Sequence, residues 1–228
     1  MPKQIYRTIL FDFDGTVFDT VDGIAKSIQY ALKKHGVDAE LSALRCFAGP
    51  PLVEKFIEVY AVSREEAEQL VVDFRERYVP IGVYESRPFP GIRDLTEKLH
   101  DAGRRLAIAT SKPQALAELL LERAGLRECF DAVVGSDPAL NNNAKCEVVL
   151  RAMQACRAEA ETTVLIGDTK YDAVGAEQAG ISCIGVRWGY AAEGELEAAG
   201  IPIAETIDEL YCMITEKKGR RRIACQTM

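Results

Sequence analysis

Short apolar runs that stop abruptly at polar or glycine-rich residues govern what this chain can become. Residues 5–11, 106–110, 163–166 and 181–186 are predominantly apolar stretches of strand length. Runs of this kind suit strands covered on both faces rather than strands with one face in water. Helical periodicity fills the intervals at 115–124, closed by Gly125, at 146–156, and at 173–179, closed by Gly180. Strand and helix in alternation predict an α/β core, a Rossmann-like parallel sheet with helices on both faces.

One interval breaks the alternation. From Thr20 to about Val83 only helical patterns occur, at 23–34, 51–60 and 64–79. Turn-rich residues 14–20 precede this stretch, and Arg87-Pro88-Phe89-Pro90-Gly91 follows it. The expected organisation is a core of residues 1–19 and 84–216, a small all-helical cap of residues 20–83 inserted after the first strand, and a basic, flexible tail at 217–228. The tail carries Lys217-Lys218-Gly219-Arg220-Arg221-Arg222, which reads as a short solubilising segment.

Composition narrows the function classes. The chain has 228 residues, 48% of them hydrophobic, and a formal charge of -7. That length and apolar content can build a real core. The acidic balance argues against nucleic acid and membrane surfaces as partners, so a phosphate-bearing ligand would need local cations or a metal. Seven cysteines without a C-x-x-C pair suit a reducing, cytoplasmic setting. No signal-type segment and no apolar span of membrane length is present in the sequence. Neither G-x-x-x-x-G-K-[ST] nor G-x-G-x-x-G occurs, and His35 and His100 have no serine or cysteine arrangement suggesting a triad; both read as structural, His35 as a partner for a helix end.

The chemistry concentrates where the strands end. The first strand runs into Asp12-Phe13-Asp14-Gly15-Thr16, at the edge where open α/β sheets bind ligands. Residues two apart in extended chain point the same way, so Asp12 and Asp14 converge and call for a cation between them. Gly15 lets the chain turn sharply with its backbone close to a ligand. The third run ends in Gly167-Asp168-Thr169-Lys170-Tyr171-Asp172, with Asp172 about one helical turn beyond Asp168. Asp12 and Asp168, with the Asp14 carbonyl, would suffice for magnesium, which takes few carboxylates and retains water; Asp168 or Thr169 would serve equally as a helix cap. Thr110 and Ser111, ahead of Pro113, offer a hydroxyl and helix-start amides to a phosphate oxygen, or simply cap the helix. Lys145, taken alone, reads as a solvated lysine at a helix start.

Together, the segments at Asp12, at Thr110, at Lys145 and at Asp168 resemble, in order, type and spacing, the four signature motifs of the haloacid dehalogenase-like hydrolase superfamily. The helical insertion is similar to the cap of its phosphoglycolate phosphatase-like branch. The resemblance implies a phosphatase that hydrolyses a small phosphate monoester with Mg2+. Asp12 would attack phosphorus and form an aspartyl-phosphate, and Asp14 would serve first as acid and then as base. Thr110 and Lys145 complete the catalytic group, with Gly15, Thr110, Ser111 and Lys145 on the phosphate and Asp12, Asp14, Asp168 and Asp172 on the metal. The run Asn143-Ala144-Lys145-Cys146-Glu147 lacks the proline that usually follows this lysine, which leaves Lys112 and Lys170 as substitute cations. Asp14 disfavours carbon-halogen and carbon-phosphorus cleavage, and phosphomutases share it.

Phe47-Ala48-Gly49-Pro50-Pro51-Leu52 and Gly185-Val186-Arg187-Trp188-Gly189-Tyr190 resemble a 5'-nucleotidase-like sub-branch; phosphoglycolate is the first expected substrate and a nucleoside 5'-monophosphate the alternative. Lys55 replaces the serine common there and is either a specificity residue or a solvated lysine. Trp188 and Tyr190 are candidates for stacking a base, with packing the commoner use of such rings. The remaining alternative is a non-catalytic protein that binds a phosphorylated ligand. The expected partner is a small phosphorylated metabolite, and the expected state a monomer or homodimer.

Overall fold

The computed structural model describes residues 6–137 and 144–215. The expected basic tail and residue 5, where the first strand was expected to begin, lie outside them. In chain order the elements are β1 (Thr8–Phe11), β2 (Phe18–Asp19), α1 (Val21–Lys34), α2 (Leu41–Leu44), α3 (Leu52–Tyr60), α4 (Arg64–Tyr78), β3 (Arg87–Pro88), α5 (Ile92–Asp101), β4 (Arg105–Pro113), α6 (Gln114–Arg123), β5 (Ala132–Ser136), α7 (Lys145–Ala155), β6 (Thr163–Gly167), α8 (Lys170–Gln178), β7 (Ser182–Val186), α9 (Glu195–Ala198), β8 (Ile203–Ala204) and α10 (Ile207–Thr215).

Six strands form one sheet in the order β5-β4-β1-β6-β7-β8, every pairing parallel. β1 lies between β4 and β6, with Phe11 opposite Ile108 on one side and Ile166 on the other. The residues following these strand ends are therefore neighbours in space. Alternation sorts the side chains: Ile9, Phe11, Leu106, Ile108, Val164 and Ile166 face α5, α6 and α10, while Leu10, Ala107, Ala109 and Leu165 face α7 and α8. Helices cover both faces, as the apolar runs predict. β5, β8 and α5 have no counterpart among the sequence-predicted elements.

The helices α1 to α4 are inserted between β2 and β3, which pair antiparallel as a two-stranded ribbon, Phe18 with Pro88 and Asp19 with Arg87. The expected inner boundary at residue 83 falls inside a 3-10 turn, Gly82–Glu85. α4 starts on a capping box in which Glu66 N–H donates to Ser63 Oγ (3.2 Å) and Ser63 N–H donates back to Glu66 (2.8 Å). α4 packs against α1 and α3, and Phe47, Phe56, Leu70 and Phe74 of the insertion belong to the same apolar cluster as Ile9, Phe11 and Phe13. No helix among the described residues is long and apolar enough to cross a membrane.

Gly23 on α1 touches the 3-10 turn so closely that a Cβ there would sit 2.0 Å from the Gly82 carbonyl oxygen. Because backbone cannot swing aside as a side-chain tip can, Gly23→Ala should cost roughly 1–3 kcal/mol. A thermal melt should show Tm lowered by about 2–10 °C; an unchanged Tm would mean that this seam is not close-packed.

Candidate active site

The chain leaves β1 through Asp12 and turns at once. Phe13 O accepts from the amides of Thr16, Val17 and Phe18 (3.3, 3.0 and 2.9 Å), and Gly15 takes φ +80°. The Asp12 amide donates to Ile166 O (2.8 Å), so this residue still follows the line of the sheet. Its carboxylate faces Lys145, the first residue of α7. Lys145 Nζ lies 2.6 Å from Asp12 Oδ1, 2.7 Å from Asp172 Oδ1 and 2.9 Å from the Ala109 carbonyl oxygen. A Cβ on Gly175 of α8 would come within 2.5 Å of Lys145 Cγ, so a side chain there would obstruct the lysine stem.

Asp168 follows β6 and is completely enclosed. Tyr190 N–H donates to Asp168 Oδ2 (2.7 Å) and Thr16 Oγ1–H donates to Oδ1 (3.3 Å). Asp172 serves two ends: its Oδ2 accepts from the Thr169 amide (3.1 Å) and hydroxyl (3.0 Å), closing the first turn of α8, while Oδ1 meets Lys145. The same carboxylate thus meets both the helix start and the lysine. One oxygen from each of Asp12, Asp168 and Asp172 lies within 4.8 Å of the others.

These groups repel one another in a poorly solvated space. Burial pushes the Asp12 carboxyl up to about 6 against the opposing pull of Lys145, with Asp172 and Asp14 adding repulsion. Burial likewise drives Asp168 well above the ordinary carboxylate range, reinforced by Asp172 and Asp12. Burial disfavours the Lys145 ammonium, yet Asp12 and Asp172 outweigh it and hold this group above the usual lysine range. When all three carboxyls are ionised, one ammonium leaves two negative charges, and every donor in the cluster is a hard oxygen. That set fits a divalent cation of the magnesium or calcium kind.

Asp14 is turned elsewhere. Its oxygens lie 3.0 and 3.4 Å from Lys112 Nζ, which also donates to Tyr78 Oη (2.5 Å) at the end of α4. Lys112 is buried, with its ammonium 5.0 Å from the Tyr78 ring centroid and 5.6 Å from that of Phe13. Desolvation opposes its charge, but Asp14 and Tyr78 hold it above the ordinary lysine range. Lys112 is therefore engaged to Asp14 and not a spare cation, and the Asp14 carboxylate stands outside the acidic cluster.

The parallel pairing of β4 with β5 loses its regular register between Ala109 and Pro113, where Thr110, Ser111 and Lys112 lie. The buried Thr110 accepts the Lys112 amide on Oγ1 (3.2 Å) and keeps its own proton to donate. Ser111 is exposed, and α6 has no side-chain cap, so neither hydroxyl is used for capping. The expectation for Gly15 needs correction. Its amide donates to Phe18 O (2.8 Å), and a Cβ would lie 2.1 Å from Asp168 Oδ2, so its close approach is to that carboxylate. Lys55 pairs with Glu58 on its own helix (3.0 Å). Lys170 is exposed beside Tyr171. His35 meets Asp73 Oδ2 (2.7 Å).

Sequence reasoning did not find Tyr78 or Thr16; for Trp188 and Tyr190 it favoured packing over base stacking but did not find their polar contacts. Both rings pack on the core, with Trp188 Nε1 donating to Thr16 O (3.1 Å) and Tyr190 Oη bound to the start of α1. One signal was available for Lys145: a cation in the first turn of a helix opposes the helix dipole and needs acidic partners.

Comparison with known proteins agrees with this architecture. A family model described as haloacid dehalogenase-like hydrolase matches residues 9–186. The chain is 38% identical over 194 residues to a 5'-nucleotidase of Pseudomonas aeruginosa, which spans 85% of this chain and 88% of the relative. Among solved structures, a predicted phosphatase from Clostridium acetobutylicum superposes with a TM-score of 0.87 at 36% identity, over 92% of this chain and 98% of that one. A haloacid dehalogenase-like family hydrolase from Streptococcus pneumoniae does so with a TM-score of 0.84 at 31% identity, over 92% and 99%. The chain belongs to the haloacid dehalogenase-like hydrolase family and is a phosphatase of that family.

The raised Asp12 carboxyl has a pH consequence. A carboxyl raised from 3.8 to about 6 contributes stability below pH ~4 that is lost as pH rises through about 6. A divalent cation competes with the proton, so its stabilisation should be small at pH 5 and grow towards pH 7.5. Melts with MgCl2 and with EDTA should diverge across that interval, and a constant gap would count against Asp12 as a ligand.

Proposed function

We propose that this phosphatase is magnesium-dependent and hydrolyses a small phosphate monoester through a covalent phosphate on Asp12. The observation that carries the reading is the Asp12 carboxylate. It is held 2.6 Å from Lys145 at the mouth of the sheet, and 14% of its side chain remains open to solvent while Asp168 and Asp172 are sealed. A carboxylate in that position can be reached by a substrate, and Asp168 cannot.

In the proposed first half-reaction, an Asp12 oxygen bonds to phosphorus as the ester oxygen leaves, and Asp14 gives that oxygen its proton. In the second half-reaction, a water gives its proton to Asp14 and its oxygen to phosphorus, which frees Asp12 and inorganic phosphate. Lys145 offsets charge on Asp12 and on the transferring group as a point charge. Thr110 and Ser111 hydroxyls donate to phosphoryl oxygens. A divalent cation, held by Asp12, Asp168 and Asp172 with the Asp14 main-chain carbonyl, would supply charge neutralisation between the phosphoryl group and these carboxylates. The helical insertion would act as the cap that excludes water and selects the leaving group.

For the substrate we favour a nucleoside 5'-monophosphate over phosphoglycolate. Lys112 and Lys145 are already engaged to Asp14 and to Asp12 with Asp172. That commitment suits a neutral leaving group better than one bearing its own carboxylate. The 38% identity to a protein named 5'-nucleotidase points the same way. A cytoplasmic setting suits such a substrate, as do the unbridged thiols of Cys46, Cys129, Cys156 and Cys183.

Phosphate release from nucleoside monophosphates, phosphoglycolate, sugar phosphates and pyrophosphate should require MgCl2 and be greatest with a nucleoside monophosphate. Asp12→Asn should lower kcat by ~10³-fold or more, the scale for loss of a nucleophile. Turnover by Asp12→Asn near the wild-type rate would remove the covalent mechanism, and phosphoglycolate as best substrate would reverse the assignment of the leaving group.

A further inference from the structure

Tyr190 reaches two places that a phosphatase of this design must coordinate. Its backbone lies over Asp168: the Tyr190 amide donates to Asp168 Oδ2 at 2.7 Å, and a Cβ on the preceding Gly189 would fall 2.2 Å from Asp168 Cβ. Its hydroxyl lies at the entry to the helical insertion, where Oη accepts from the amides of Thr20 (2.6 Å) and Val21 (3.1 Å) and donates to Asp19 Oδ1 (3.2 Å). A phenol has one proton and two acceptor positions, and all are used.

The amides of Thr20 and Val21 belong to the start of α1, where donors lack intrahelical partners. Thr20 makes no side-chain cap bond there, so the acceptor comes from Tyr190, 170 residues away in the chain. Asp19 sits on β2 opposite Arg87 of β3, the two crossings between sheet and insertion. Trp188, two residues earlier, holds the same loop through Thr16 O, and Thr16 itself donates to Asp168. Residues 188–190 thus strap the hinge of the insertion to one enclosed carboxylate.

We propose that Tyr190 is a positioning residue that couples cation occupancy at Asp168 to the orientation of the hinge formed by β2, β3 and the first turn of α1. The inference rests on the reading of Asp168 as a cation ligand. A cation that fixes Asp168 fixes the 189–190 backbone, and the phenol carries that restraint to Asp19, Thr20 and Val21. Coupling of this kind is reciprocal, so a displaced insertion loosens the cation.

The test uses the full chain and two amides that do not touch Tyr190: Ile24, which donates to Thr20 O, and Phe89, which donates to Val17 O. In the wild type, MgCl2 relative to EDTA should slow hydrogen exchange at both by roughly fivefold or more, the lower end of ordinary coupling. Tyr190→Phe keeps the backbone contact and should bind Mg2+ with calorimetric affinity within about twofold to threefold of wild type, while the exchange ratio falls to about one. If the phenol only caps α1, exchange would speed equally with and without Mg2+ and the ratio would survive, which overturns the proposal. Trp188→Phe, which removes the indole donor but leaves the phenol, should keep the ratio; its loss there would reassign the effect to general loosening of the strap and also overturn it. Mg2+ binding without a hinge response in the wild type would sink the coupling alone. No Mg2+ binding at all would sink the metal reading and the coupling with it.

Discussion

One ammonium organises the mouth of this sheet. Lys145 sits between Asp12 at the end of β1 and Asp172 on α8, and it also donates to the Ala109 carbonyl on β4. Without it, three carboxylates would be crowded into a space that solvates none of them well, a cost protein interiors bear only with compensation. Its position asks much of the surroundings. α7 must begin at the lysine, the strand beneath presents Ala107 and Ala109, and α8 places Gly175 where a larger residue would block the stem. The close approach of α7 and α8 to the sheet follows from the need to deliver this one charge.

The site divides into two charge groups with different tasks. Asp12, Asp168, Asp172 and Lys145 form one, which retains a negative surplus and suits a divalent cation. Asp14, Lys112 and Tyr78 form the other, which is balanced and reaches from the sheet to the last turn of α4. Although Asp12 and Asp14 leave the same strand, two residues apart, opposing lysines draw them apart. Such a division gives neighbouring carboxylates two different environments, as the proposed roles of nucleophile and proton carrier require.

Much of this was legible in the sequence. The parallel sheet announced itself because strands buried on both faces are apolar almost throughout, and residues 9–11 and 164–166 meet that demand. β5 and β8 escaped because a five-residue edge-side strand with Gly135 and a two-residue strand carry little pattern. Asp12, Asp14, Thr110, Lys145, Asp168 and Asp172 could be named from type and order. Their partners could not. The pairing of Lys112 with Asp14 spans 98 residues, and Lys112 read only as a reserve cation. The use of Tyr190 likewise depends on a contact no local pattern encodes; an aromatic after a strand end looks the same whether it stacks a ligand or caps a distant helix.

Asp172 belongs to the fold and to the site at once, whereas Asp12 belongs chiefly to the site. The first carboxylate satisfies Thr169 at the start of α8 whatever the protein does; the charge of the second is disfavoured by burial and by its acidic neighbours. In a lineage that abandoned hydrolysis, drift would be free to remove Asp12 and even be rewarded for it in stability, while Asp172 would persist as a helix residue. The two aspartates are therefore unequal witnesses: Asp172 in a descendant attests to inheritance of the scaffold, and Asp12 attests to continued use.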